Sequence, residues 1–383
     1  MSRLMRVGLA VVAAVLVVAL ARPAARYAHS AALLVRVGAQ GGEWAAGAAG
    51  LIETTVTTRS VVIPTRSGTL QARVYVPGRV RTRPLLLTGG VHAQGIDEPR
   101  LAGLARNLAA HGTPVITPEL PDLVAYRITP QLPSQIEDAA QWVAGMRPFN
   151  ADRIGLVGIS FAGGLSIVAA TRPALRDKIA FTVSFGGHGD FRRVLRYLCT
   201  GIQPDGSPLR PHDYGAVVIL LNVADRIVPP TQVAPLREML VTFLRASHLN
   251  MVDRKRARRM FADTTRRART LPEPARTLMR YVNERDVAAL GKALLPFIEG
   301  YGQEPSLSPE RSPAPPGPVH LLHGSGDNVI PSMESTYLAR YLRSHGTQVD
   351  LLLSPLITHA ELNHEPGIAD MWNLVAFWAG LEW

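Results

Sequence analysis

Arg153-Ile-Gly-Leu-Val-Gly158-Ile-Ser160-Phe-Ala162-Gly163-Gly164-Leu-Ser-Ile-Val-Ala-Ala170 is the stretch whose reading decides the fold. An apolar run rich in Ile, Leu and Val reaches Gly158, turns through Ser160 and continues as a helix of small residues. The spacing has the form G-x-S-x-G, in which a tight strand-to-helix turn exposes a serine hydroxyl above a parallel sheet. Small residues on both sides suit a turn in which backbones approach closely. The last glycine of the form is Ala162 here, followed by Gly163 and Gly164. Ordinary α/β packing also yields a strand, a glycine and a serine at a helix start, so the rest of the chain has to supply the chemistry.

Outward from Ser160 the pattern alternates. Upstream, Arg59–Pro64 and Leu70–Pro77 read as two strands joined by the turn at Thr65 to Thr69. Pro84-Leu-Leu-Leu-Thr is a wholly apolar strand, suited to burial on both faces. An amphipathic helix from Arg100 to His111, a strand at Pro114–Pro118 and a helix at Ser134–Met146 follow. Downstream, Lys178–Gly187 supplies another strand, and then the alternation breaks. Asp190 to about Glu310 reads as helices: Phe191–Leu198, Tyr214–Val228, Thr231–Leu249, Arg254–Arg269 and Pro274–Glu299. Ser306–Pro318 is a stiff Pro/Ser linker without helix or strand signals. Strand and helix order returns with Val319–Gly324, Met333–His345, Gln348–Leu353 and Ile368–Leu381. The expected fold is therefore α/β, with a mostly parallel sheet, helices on both faces and ligands at the carboxyl ends of the strands.

The 383 residues are 47% hydrophobic with 33 Gly and 30 Pro, which fits a folded chain with many turns rather than a disordered one. The single cysteine, Cys199, excludes an intramolecular disulfide and a cysteine-based zinc cluster. The net charge of +11 comes largely from arginine spread along the sequence. Its densest cluster, Arg254-Lys-Arg-Ala-Arg-Arg with Arg266, Arg267 and Arg269, reads as a solvated helix face or as a contact for anionic headgroups. No nucleic-acid motif accompanies it, and no nucleic-acid partner is expected.

At the N-terminus, Arg3 and Arg6 precede an apolar run from Val7 to Ala21, closed by Arg22 and Arg26. This is a basic region followed by an apolar region of secretory length, and Ala19-Leu-Ala21 resembles a cleavage site. The run is short for a spanning helix, which needs about 20 residues. It reads as an export signal or an uncleaved anchor, which places the remaining chain at a membrane or outside the cytoplasm. The expected organisation is residues 1–50 as anchor and spacer, 51–190 as the first part of the core, 191–317 as a helical cap with its linker, and 318–383 as the second part of the core.

A serine is a poor nucleophile unless a base takes its proton, and the base in turn needs an orienting acid. In this architecture they follow the serine in the order acid, then histidine. His323-Gly-Ser-Gly-Asp327-Asn-Val-Ile-Pro331 ends the strand of Val319, and His359 follows the next strand, so Ser160, Asp327 and His359 are the expected triad. The rivals are Asp225, in a similar local pattern inside the helical region, and His364. Phe161 N–H, at a helix start, is one expected oxyanion donor. The loop Thr88-Gly-Gly-Val-His92 supplies the other, from Val91 or next from His92. Gly90 and His188 are expected to line the substrate pocket. No metal site and no cofactor are expected.

At these residues the chain resembles the α/β-hydrolase superfamily. The resemblance spans roughly Val61 to Gly189 and Pro318 to the C-terminus, on Gly158-Ile-Ser160-Phe-Ala162-Gly163 and His323-Gly-Ser-Gly-Asp327-Asn-Val-Ile-Pro331. It implies an α/β-hydrolase fold with a helical lid inserted after the sixth core strand. The expected function is a serine hydrolase cleaving a carboxylic ester, an apolar or lipid-like one in view of the anchor and lid. Amide or peptide hydrolysis and acyl transfer use the same chemistry and stay open. A different class, a membrane-tethered binding protein that keeps the fold without the activity, also stays open.

Overall fold

The short apolar segments lie at the centre of one sheet, where a strand needs apolar side chains on both faces. The computed structural model describes residues 24–36, 50, 53–146, 149, 151–250, 252–357 and 367–381. Its strands are β1 (Val56–Thr65), β2 (Gly68–Pro77), β3 (Leu85–Thr88), β4 (Val115–Pro118), β5 (Ile154–Ile159), β6 (Ile179–Phe185), β7 (Val319–Gly324) and β8 (Val349–Ser354). They pair in the order β1-β2-β4-β3-β5-β6-β7-β8. Strand β2 is antiparallel to β1 and β4, and every other pairing is parallel. Order, direction and the helical region after β6 are those of the α/β-hydrolase fold.

The helices are α1 (residues 24–36), α2 (Pro99–Ala110), α3 (Pro121–Val124), α4 (Leu132–Ala144), α5 (Phe161–Ala170), α6 (Phe191–Thr200), α7 (Asp213–Ile227), α8 (Pro230–Leu249), α9 (Arg254–Ala268), α10 (Ala275–Glu284), α11 (Val287–Tyr301), α12 (Met333–Ser344) and α13 (Ile368–Ala379). Side chains alternate across the sheet, as the strand period requires. Leu86 and Leu156 pack with α4 and α5 on one face. Leu85, Leu87 and Val157 pack with α2 and α13 on the other. The first of these clusters runs without a break into α6 to α11, so the cap shares the core's apolar interior.

Three segments differ from the sequence expectation. Residues 24–36, read as spacer, form a helix that buries Leu33 beside Phe377 and Leu381 and is pinned by Arg36 on Glu53 at 2.5 Å. The single helix expected over Pro274–Glu299 is two, α10 and α11. Arg285 between them is left-handed (φ 54), and Asp286 restarts the helix by accepting Ala289 N–H at 3.0 Å. The Pro/Ser linker forms two single turns, Pro305–Leu307 and Pro309–Arg311, each begun by a proline whose fixed φ suits the first helical position. It packs rather than spans: Leu307 and Ser308 are buried, and Arg193 of α6 binds Glu310 and Glu334, each at 2.6 Å.

Candidate active site

Ser160 stands where β5 becomes α5, with φ 57 and ψ −134. Such a backbone costs about 1–3 kcal/mol in a residue with a side chain, and persists only where its surroundings over-determine it. They do so here. Ser160 N–H donates to Phe185 C=O at 2.7 Å, and its own C=O accepts from Gly163 N–H at 2.8 Å. A Cβ on Gly158 would lie 2.2 Å from Ala162 O, and one on Gly90 would lie 2.9 Å from Ser160 Cβ. The small residues at these places are therefore steric requirements of the turn and of the loop above it. Ala162, in the place of the motif's last glycine, is fully buried without disturbing the turn.

Asp327 follows β7, two strands from the serine. It is 1% exposed, and its Oδ1 accepts N–H groups of Val329 at 2.8 Å and Ile330 at 3.0 Å. His323 Nε2–H donates to Ile330 C=O at 2.8 Å and lies 3.4 Å from Asp327 Oδ2, while its Nδ1 accepts from Ser335 Oγ at 2.7 Å. The loop is thus fixed from inside. Asp327 Oδ2 comes within 3.7 Å of where a Cβ of Gly186 would be, at the end of β6. Ser160 N–H is bonded to the residue before Gly186, so serine and carboxylate flank the same strand end. Neighbouring strands lie about 4.8 Å apart, and β6 alone separates β5 from β7. His359 and His364, the two candidate bases, lie outside the described residues.

The rival acid does not share this edge. Asp225 sits on α7, exposed, and pairs with Arg237 at 2.8 Å. Its loop-like pattern is helix because the preceding run, buried continuously from Gly215 to Leu221 and again at Val223 and Ala224, packs α7 inside the cap.

Gly90, Val91, His92, Ser160 and Phe161 line one cavity of about 700 Å³. Phe161 N–H is the first of α5, a position without an acceptor inside the helix and at its positive end. His188 is not on that wall. It is fully buried, its Nε2–H donates to Leu307 C=O at 2.7 Å, and burial pushes its pKa down to about 4. The expectation that it lines the pocket is corrected: the strand end turns it beneath α5, against Phe161, rather than above it.

The cap supplies what sequence reading did not identify. Tyr214 of α7 donates its hydroxyl to Val91 C=O at 2.9 Å, tying the loop after β3 to the cap. His248, near the end of α8, stacks on His92 with ring centres 3.9 Å apart, and Tyr126 Oη is 3.4 Å from its Nδ1. Burial first, then the neighbouring His92 and Arg100, push His248 down to about 3. Burial likewise lowers His92, so both rings are neutral near pH 7. Arg285 also lines the cavity, ion-paired with Asp213 and lying over Phe243 and Phe261 at 5.4 and 5.1 Å. The rest of the lining mixes aliphatic side chains, among them Ile128, Leu195, Leu198, Val218 and Ile219, with polar and charged ones, among them Glu98, Arg100, His212 and Asn328. Of the missed residues only His323 carried a sequence signal, as the first residue of the acid-loop motif.

No protein-family model and no curated protein sequence matches the chain. Among solved structures it is similar to a hyperthermophilic esterase from the archaeon Pyrobaculum calidifontis, at 15% identity over 94% of this chain and 92% of that one, TM-score 0.44. It is also similar to an esterase of Pyrococcus furiosus (12%, 84% and 92%, TM-score 0.46). A third is a thermophilic carboxylesterase cloned from a metagenomic library (17%, 86% and 90%, TM-score 0.43).

Proposed function

We propose that the protein is a serine hydrolase that cleaves carboxylic esters through an acyl-enzyme on Ser160. One observation carries this reading: a serine in strained left-handed backbone at a strand–helix junction lines a cavity of about 700 Å³. Strain of this kind is kept where it positions a reacting group. Ser160 Oγ attacks the acyl carbon while His359 takes its proton. Asp327, held by two N–H groups on one oxygen, directs the other toward that imidazole and stabilises its charged form. Phe161 and Val91 N–H groups receive the oxyanion. The C–O bond to the alcohol breaks as His359 returns the proton to the leaving oxygen. Water, activated by the same imidazole, then releases the acid and frees Ser160.

The aliphatic wall between α6 and α7 suits an apolar acyl or alcohol group, as in a lipid-like ester. The run Val7–Ala21 suits a chain that is exported or held at a membrane. Hydrolysis of 4-nitrophenyl esters of increasing chain length tests the reading. Wild type is expected to turn over, and Ser160→Ala to lose about 10⁴-fold or more in kcat. Equal turnover by the two would refute it.

A further inference from the structure

Helix α13 has two apolar faces. Leu374, Val375, Phe377 and Trp378 point into the core, whereas Ile368 and Trp372, four residues apart, point outward at 90% and 58% exposure. Tyr27 of α1 lies against Trp372 with its ring stacked, centres 5.3 Å apart and planes within 15°. The outward patch is therefore two aromatic rings and an isoleucine, contributed by helices far apart in sequence. Large apolar groups gathered in this way on a surface mark a contact site.

The chain itself says what that contact is. The apolar run Val7–Ala21 ends three residues before α1 begins, and Arg22 and Arg26 stand between the run and Tyr27. No helix among the described residues is long and apolar enough to cross a membrane, and this run lies outside them. Helix α1 is fixed to the body by buried Ser30, Ala32 and Leu33 and by the Arg36–Glu53 pair. The helix that follows the apolar run in sequence is thus fixed on the body, and Tyr27 near its start belongs to the patch. Tyrosine, tryptophan and arginine next to an apolar run are the residues that settle at the headgroup level of a bilayer. Their rings offer an apolar body with a polar tip.

We infer that Tyr27, Ile368 and Trp372 form a membrane-facing patch that seats the body in the headgroup layer of a lipid bilayer, next to the inserted N-terminal run. The inference rests on Val7–Ala21 inserting into the bilayer, and is independent of the chemistry at Ser160.

The test uses the full chain on phosphatidylcholine vesicles with bromine on the upper acyl chain, reading tryptophan emission together with co-sedimentation. Of the five tryptophans, Trp142 is half-buried, Trp378 is buried, and Trp44 and Trp383 lie outside the described residues, so the comparison is made in a Trp44→Phe/Trp383→Phe background, where Trp372 is the one placed to meet the quencher. The expected result is co-sedimentation with quenching, most of which is lost in Trp372→Phe while co-sedimentation persists. Ile368→Asp is expected to reduce the quenching of Trp372 without unfolding an exposed site. Co-sedimentation with quenching unchanged in Trp372→Phe overturns the patch but not the insertion. So does co-sedimentation without quenching, which would mean that another part of the chain or a second copy covers the patch. Failure to co-sediment overturns the insertion and the patch together, and leaves the hydrolase reading to its own assay.

Discussion

Ser160 and Asp327 stand on the carboxyl ends of β5 and β7, whereas Tyr214, His248 and Arg285 reach the same cavity from helices of the cap. The two sides are held differently. On the core side, a strained serine is locked by backbone hydrogen bonds and by glycines with no room for a Cβ. On the cap side, the contacts are side-chain ones: a hydroxyl on a carbonyl, two stacked imidazoles, and a guanidinium over two phenyl rings. The difference separates two jobs. Under the proposed hydrolysis, the core would fix where bonds are made and broken, and the cap would tune the loop and enclose the substrate.

That division makes unequal demands on substitutions. The largest effect is expected on the core side, where Asp327→Asn should lower kcat by about 10³–10⁴-fold with the fold intact. The asparagine oxygen can still accept from Val329 and Ile330, so a loss of melting temperature comparable with the loss of activity would argue for a structural role alone. Asp225→Asn, exposed on α7, should leave kcat within about twofold; a collapse there would transfer the acid to the cap.

Tyr214→Phe is expected to have a smaller effect. Removing one hydrogen bond worth about 0.5–1.5 kcal/mol should cut kcat about three- to tenfold with KM little changed. The Val91 loop would be loosened while the apolar wall stays. A change confined to KM would show that the hydroxyl serves binding and not the oxyanion loop.

The smallest effect is one of pH. His248 is held near 3 in the fold, below its ordinary 6.5, chiefly by burial, with His92, Tyr126, Tyr214 and Arg100 around it. The unfolded chain binds a proton there at higher pH than the folded chain does. The stability from the neutral ring is therefore complete above about pH 6.5 and is lost as pH falls from there toward 3. Replacing His248 with Gln should flatten that part of the curve of melting temperature against pH. A curve identical to wild type would mean that the ring titrates freely.

The same division explains what the sequence disclosed. Strand ends are legible because a parallel strand is an apolar run and its edge is where the run stops, so Ser160 and Asp327 could be placed from Val157-Gly158 and Leu322-His323. The cap's helices were legible as elements, but not their aim. Tyr214 and His248 are separated from Val91 and His92 by more than 120 residues, and nothing local to α7 or α8 points at a loop after β3. His188 failed for the converse reason: its position after β6 was right, but the turn sends its ring beneath α5. Arg285 broke an apparently continuous helix, because a left-handed residue followed by a capping aspartate looks helical in composition.

The central claim is that Ser160 Oγ is the nucleophile, and a fluorophosphonate tests it most directly. After incubation of the full chain with the reagent, proteolysis and peptide mass analysis should place one phosphonyl adduct on the peptide containing Ser160. Ser160→Ala should then show no adduct while keeping the wild-type melting temperature. An unlabelled wild type, or an adduct on another residue that survives in Ser160→Ala, would contradict the account.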